Sequence, residues 1–116
     1  MLLKLLKSKM HRAKVTAAKL DYPGSIEIDA ELMAACGLMP YESVLVADLN
    51  NGSRLETYVV PAEPGSKNIV ILGAAARLIN PGDRIIVLNF TYFTAEEAKK
   101  HKVKVIVLDE NNKIIG

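Results

Sequence analysis

The stretch "LDYPGSIEID", residues 20 to 29, sets a Tyr-Pro-Gly turn directly before Ser25, and the serine opens an extended run. A serine hydroxyl can attack the carbonyl of the residue before it, exchanging an amide for an ester. Glycine at that preceding position, here Gly24, offers the least steric resistance to the strained geometry. β-Elimination of the ester would cut the chain after Gly24 and leave dehydroalanine, and loss of ammonia from that residue leaves a pyruvoyl carbonyl. The plainer reading is an ordinary turn followed by the first residue of a strand. Gly-Ser pairs are common, so the dipeptide alone leaves both readings open.

Other reactive side chains are sparse. His11, His101 and Cys36 have no metal-ligand spacing, so no metal is expected. "GSI" lacks the nucleophile-elbow pattern of a serine hydrolase. Neither "PGS" at 64 to 66 nor "GAAA" at 73 to 76 is a phosphate loop, although the small residues at 73 to 76 would let backbone N–H groups come close to a ligand. Positive charge is concentrated early: Lys4, Lys7, Lys9, Arg12, Lys14 and Lys19, with His11, precede the first acid, Asp21, although the net charge is only +2. Such an arm suits an edge strand guarded by lysines, a nucleic-acid surface, or a pocket for a small acidic substrate. The aromatics Tyr22, Tyr41, Tyr58, Phe90, Tyr92 and Phe93 form no base-stacking motif, which argues against a nucleic-acid partner.

The elements that must position these residues read as mainly β. The length of 116 residues suits a single domain, 1–116. Lysines interrupt the early leucines too often for a signal peptide, no run nears the ~20 apolar residues of a membrane span, and the lone Cys36 reads as a buried small hydrophobe, so a cytoplasmic location is expected. Turn signals recur at "YPGS", "NNG", "PAEPGSKN", "NPGD" and "ENNK", the spacing of a small barrel or sandwich. Between them "SVLVAD", "RLETYVV", "NIVIL", "RIIVLNF" and "VKVIVLD" are short and β-branched, as strands are. "NNG" predicts a hairpin over residues 43 to 60 through a primed turn. Asp29 and Gly37 bracket a short helix, Thr94 with Glu97 forms a capping box for a second, and "GAAARLI" suggests a third helical turn. Residues 2 to 13 fit either a helical stripe or a strand; the β context favours strand.

Read together, "KSKMHRAKVTAAKLDYPGSIEID", "NNGSRLETYVVPAEPGS" and "GAAARLINPGDRIIV" make the chain resemble the pyruvoyl-dependent aspartate decarboxylase family over nearly its whole length. The combination of K-x-H-R, Y-x-G-S, R-x-x-T-Y and G-A-A-A is far more specific than any one of them. The resemblance implies a double-psi β-barrel with short helices, assembled as a homotetramer with sites between subunits. It implies cleavage between Gly24 and Ser25 into a β chain, 1–24, and an α chain, 25–116, with Ser25 becoming a covalent pyruvoyl group. It further implies that L-aspartate forms a Schiff base there and is decarboxylated to β-alanine for pantothenate and coenzyme A synthesis.

Carried over residue by residue, the resemblance gives Arg54 the substrate carboxylate and Lys9 a supporting positive potential, while Tyr58 protonates the carbon left by CO2. The backbone at Gly73, Ala74 and Ala75 contacts substrate. Thr57 also belongs to the substrate-binding set, and it bonds the carbonyl before Ser25 during self-processing, in which His11 and Tyr22 also take part. Two positions depart from the expected pattern: Leu72 stands where an asparagine is expected near the cleaved bond, and Ala47 replaces the tryptophan of some relatives. A pyruvoyl enzyme for another acidic amino acid, such as glutamate, is the nearest alternative, since one methylene discriminates only modestly. A small basic barrel that binds nucleic acid is the alternative from another class.

Overall fold

The computed structural model describes residues 1–116. The chain runs β1 (Leu2–Lys14), β2 (Ala17–Lys19), β3 (Ser25–Asp29), α1 (Ala30–Cys36), β4 (Ser43–Asp48), β5 (Arg54–Ala62), β6 (Ile69–Leu72), a 3₁₀ turn (Gly73–Arg77), β7 (Arg84–Thr94), α2 (Ala95–Lys100) and β8 (Lys104–Val107). Across the sheet the order is β2-β6-β3-β5-β4-β7-β1-β8. Most neighbours are antiparallel; β1 with β8, β2 with β6 and β3 with β5 are parallel.

Alternation along the strands decides which side chains meet. Period two sends Ile26 and Ile28 of β3, Val44 and Val46 of β4, Ile69 and Ile71 of β6, and Ile85 and Val87 of β7 into one core, with Met10 of β1 and Leu32, Met33 and Cys36 of α1. Each large aliphatic chain contributes about 1.5–3 kcal/mol by leaving water. The curled sheet around this core is the mainly β, barrel-like class that the sequence implies. No helix is long and apolar enough to cross a membrane.

Asp29 begins α1 as expected. Its carboxylate accepts from Glu31 N–H at 2.8 Å, and also from Gly65 N–H at 3.0 Å and Lys67 N–H at 2.8 Å. One buried side chain therefore caps the helix and fastens the turn after β5. Burial pushes its pKa up, but the three N–H donors outweigh burial and the net shift is downward. The Thr94–Glu97 capping box forms at α2, and residues 2 to 14 are strand.

Two expectations change. The β4–β5 hairpin forms, but not through a two-residue primed turn: the last paired residues are Ala47 and Arg54, and Gly52 alone in the intervening loop has positive φ, 78°. Asp48 explains the longer loop, since its Oδ1 accepts from Asn50 and Asn51 N–H while its carbonyl accepts from Gly52 N–H. The basic β1 is also not an edge strand, because β7 pairs with one side of it and β8 with the other. β8 covers only Ser8–His11, however, so Lys4 and Lys7 lie on the half of β1 that has a strand on one side alone.

Candidate active site

The Gly24–Ser25 bond lies where the 20–24 turn enters β3. Ser25 is the first strand residue, pairs with Leu72 of β6, and is 5% exposed. Gly73 follows Leu72 with φ 83°, a conformation suited to glycine, and its backbone presses directly on the turn. A Cβ at position 73 would meet Gly24 Cα at 2.7 Å, Tyr22 O at 2.8 Å and Gly24 N at 2.9 Å. The "YPGS" and "GAAA" motifs, 48 residues apart from Ser25 to Gly73, are thus brought together by the β3–β6 pairing. Ala74 and Ala75 continue from Gly73 into the 3₁₀ turn. The Tyr22 ring is exposed, with Lys19 Nζ 5.3 Å from its centroid.

β5 supplies the other wall. Its parallel ladder with β3 sets Ile26 opposite Val59, and one step back along the same register Ser25 is level with Tyr58. Val59 is core-facing, so alternation turns Thr57 inward and Tyr58 outward, onto the face that carries Ser25. The expectation that Thr57 and Tyr58 face opposite ways holds. The Tyr58 ring has a neighbour that sequence reasoning missed: Tyr41, at 6.3 Å between centroids. The only local signal for it is Pro40 before Tyr41 in "MPYE", a turn dipeptide.

Arg54 and Lys9 are not gathered at Ser25 within one chain. Arg54 is on the Tyr58 face of β5 but four residues away, about 13 Å along the strand. Lys9 sits on β1, four strand spacings or about 19 Å across the sheet from β3. Neither cation has an ion-pair partner; the pairs present are Lys7–Glu42 and Lys99–Glu96. Lys9 is instead in register with Leu88, which faces Leu45, which faces Glu56. His11, next but one along β1, is half-buried. Burial first, and then the charges of Lys9, Arg12 and Arg84, hold its imidazole below the usual pKa, and its Nδ1 has no partner.

Neither of the two principal clefts borders Ser25. One, about 330 Å³, is lined by Leu45, Leu88, Phe90, Lys4, Ser43 and Glu56 among others; the second, about 430 Å³, lies near Lys14 and Lys67. The first is the outer face of the sheet that also holds Arg54, Tyr58 and Lys9. No cluster of three or more His, Cys, Asp and Glu side chains is placed to hold a metal ion.

Comparison with known proteins bears on this arrangement. A family model described as "Aspartate decarboxylase" matches residues 1–115. A protein named aspartate 1-decarboxylase from Acetivibrio thermocellus is 55% identical over 116 residues, all of this chain and 92% of the relative. Proteins of the same name from Clostridium kluyveri and Caldicellulosiruptor saccharolyticus are 54% and 51% identical, over 98% and 99% of this chain and 90% of each relative.

Proposed function

The chain belongs to the aspartate decarboxylase family, and from that premise we infer that it decarboxylates its substrate at a carbonyl made from its own Ser25. The reaction is the conversion of L-aspartate to β-alanine and CO2; β-alanine is the unit consumed in pantothenate synthesis. The observation that carries the Ser25 reading is the backbone closure at Gly73, which leaves no room for a Cβ against Gly24 and Tyr22. Such closure packs the Gly73 backbone against the turn that carries the Gly24 carbonyl and restrains how that turn can move.

The chemistry balances without an outside oxidant. Ser25 Oγ bonds to the Gly24 carbonyl carbon as the amide nitrogen leaves and takes up a proton. Removal of the Ser25 Cα hydrogen then expels the Gly24 carboxylate and leaves dehydroalanine, whose imine tautomer is hydrolysed by water with loss of ammonia. Thr57, level with Gly24 by the β3–β5 register, suits a hydroxyl that bonds the Gly24 carbonyl. The Tyr22 hydroxyl and neutral His11 are the proton carriers for this stage, His11 lying on β1 with Lys9 and so reaching the bond from a neighbouring copy. Leu72 brings no amide to the bond, so that hydrogen-bonding group is missing from the processing site.

The resulting pyruvoyl group supplies an electron sink for the pair left when CO2 departs. Around it, Arg54 holds a substrate carboxylate through its planar fork and Lys9 adds positive potential. Backbone groups of Gly73, Ala74 and Ala75 contact the substrate closely, which their small side chains permit. Tyr58, on the Ser25 face, protonates the α-carbon. Because one chain leaves Arg54 and Lys9 away from Ser25, the complete site draws on neighbouring copies in a homotetramer.

The test is direct. Purified protein given L-aspartate should release CO2 and β-alanine, at least ~10-fold faster than it releases CO2 from L-glutamate. Ser25→Ala should release none, and undiminished decarboxylation by that variant would overturn the Ser25 reading.

A further inference from the structure

The turn before β4 contains a residue whose conformation opposes its type. Met39, Pro40, Tyr41 and Glu42 form a tight turn closed by the Glu42 N–H donating to Met39 O at 3.2 Å, with proline second and a positive φ, 72°, third. That is the pattern of a type II turn, whose third residue is ordinarily glycine or asparagine. Tyr41 occupies it instead, against the clash between its Cβ and the backbone. Non-glycine residues persist in such positions where the surroundings over-determine them, commonly beside a functional site.

The surroundings here do so from both sides. Tyr41 N–H donates to Val59 O at 2.7 Å and Val59 N–H donates to Glu42 O at 3.1 Å, so the turn is stitched to β5 at the residue after Tyr58. Glu42 is fixed in turn. Its carboxylate accepts from Met39 N–H at 2.8 Å and from Lys7 Nζ at 2.8 and 2.9 Å. The result is a rigid bracket whose outward product is the Tyr41 ring, centroid 6.3 Å from that of Tyr58 and tilted 35° to it. This separation lies within the range of attractive aromatic pairs. Tyr41 itself is 75% exposed, so its ring fills no core space that would otherwise account for it.

We propose that Tyr41 is a positioning residue, held in a strained backbone conformation so that its ring fixes the orientation of Tyr58 over the reacting carbon. The proposal rests on the reading of Tyr58 as proton donor. A phenol on an exposed strand face has free rotation about two bonds, and proton delivery needs its oxygen at one place. Tyr41 limits that rotation without touching the substrate.

The test uses fully processed enzyme and four substitutions: Tyr41→Asn, Tyr41→Phe, Tyr58→Phe and the double variant Tyr41→Asn/Tyr58→Phe. Asparagine tolerates positive φ, so Tyr41→Asn should match or exceed the wild-type Tm while kcat falls roughly tenfold with KM within about twofold. Tyr41→Phe keeps the ring and should restore kcat. In the Tyr58→Phe background, adding Tyr41→Asn should change kcat by less than about twofold, because the ring it orients no longer delivers a proton. Wild-type kcat in Tyr41→Asn, or a full tenfold loss added on top of Tyr58→Phe, overturns the positioning role while leaving Tyr58 as donor. Wild-type kcat in Tyr58→Phe alone removes the donor and overturns both.

Discussion

At position 73 a methyl group would meet three backbone atoms of residues 22 and 24 between 2.7 and 2.9 Å away. No rotamer change can relieve contacts made by backbone, and alanine also resists a φ of 83°. Gly73→Ala should therefore push the 22–24 turn away from the geometry for attack, at about 1–3 kcal/mol, and slow appearance of the 25–116 fragment about tenfold or more while far-UV circular dichroism persists. Wild-type cleavage kinetics in Gly73→Ala would show that the closure is unrelated to processing. Ser25 and Gly24 are legible in the sequence because their chemistry is intramolecular and adjacent. The need for glycine at 73 is not, since it arises from a contact across 49 residues; the letters "GAAA" say only that something small is there. Tyr41 was hidden for the same reason: its turn is local, but the ring it meets is on β5.

The elements whose signals are local formed as the sequence indicates: the Asp29 cap, Gly37 stop and Thr94 box are written within four residues each. Pairing order is not local. The parallel contact of β3 with β5 joins residues 33 apart, and nothing in either strand's alternation names its partner. The β4–β5 loop shows how one buried side chain can rewrite a turn, and Asp48 also makes that loop pH-sensitive. Its Oδ2 is buried and unpartnered, and burial, then the neighbouring Asp83 carboxyl, raise its pKa. A carboxyl whose folded pKa exceeds its unfolded value gives its full contribution to stability below the unfolded value, and loses it as pH rises through the folded one. Asp48→Asn keeps an acceptor for the loop N–H groups and removes the charge. It should raise stability at neutral pH by about 1–2 kcal/mol in urea titrations, the gain shrinking toward pH 4. A less stable Asn variant at pH 7 would show that the ionised carboxylate is the better partner.

Over the whole molecule, one chain separates Ser25 from Arg54 and Lys9, the cations proposed to bind substrate, and it exposes Leu2, Phe90 and Tyr92 along β1 and β7. A site shared between copies accounts for both features, and it can be tested by mixing. Ser25→Ala and Arg54→Ala chains should each be inactive alone, yet random 1:1 co-assembly should restore roughly a quarter of the sites if Ser25 and Arg54 come from different subunits. No restoration in verified mixed oligomers would place both residues in one chain's site. All of this depends on the bond between Gly24 and Ser25, and an intact-mass spectrum under denaturing conditions reads that bond directly. Two species are expected, residues 1–24 and residues 25–116, the larger bearing an N-terminal ketone that borohydride reduces by two hydrogens. A single 12.7 kDa chain that nonetheless decarboxylates aspartate at full rate would contradict that expectation.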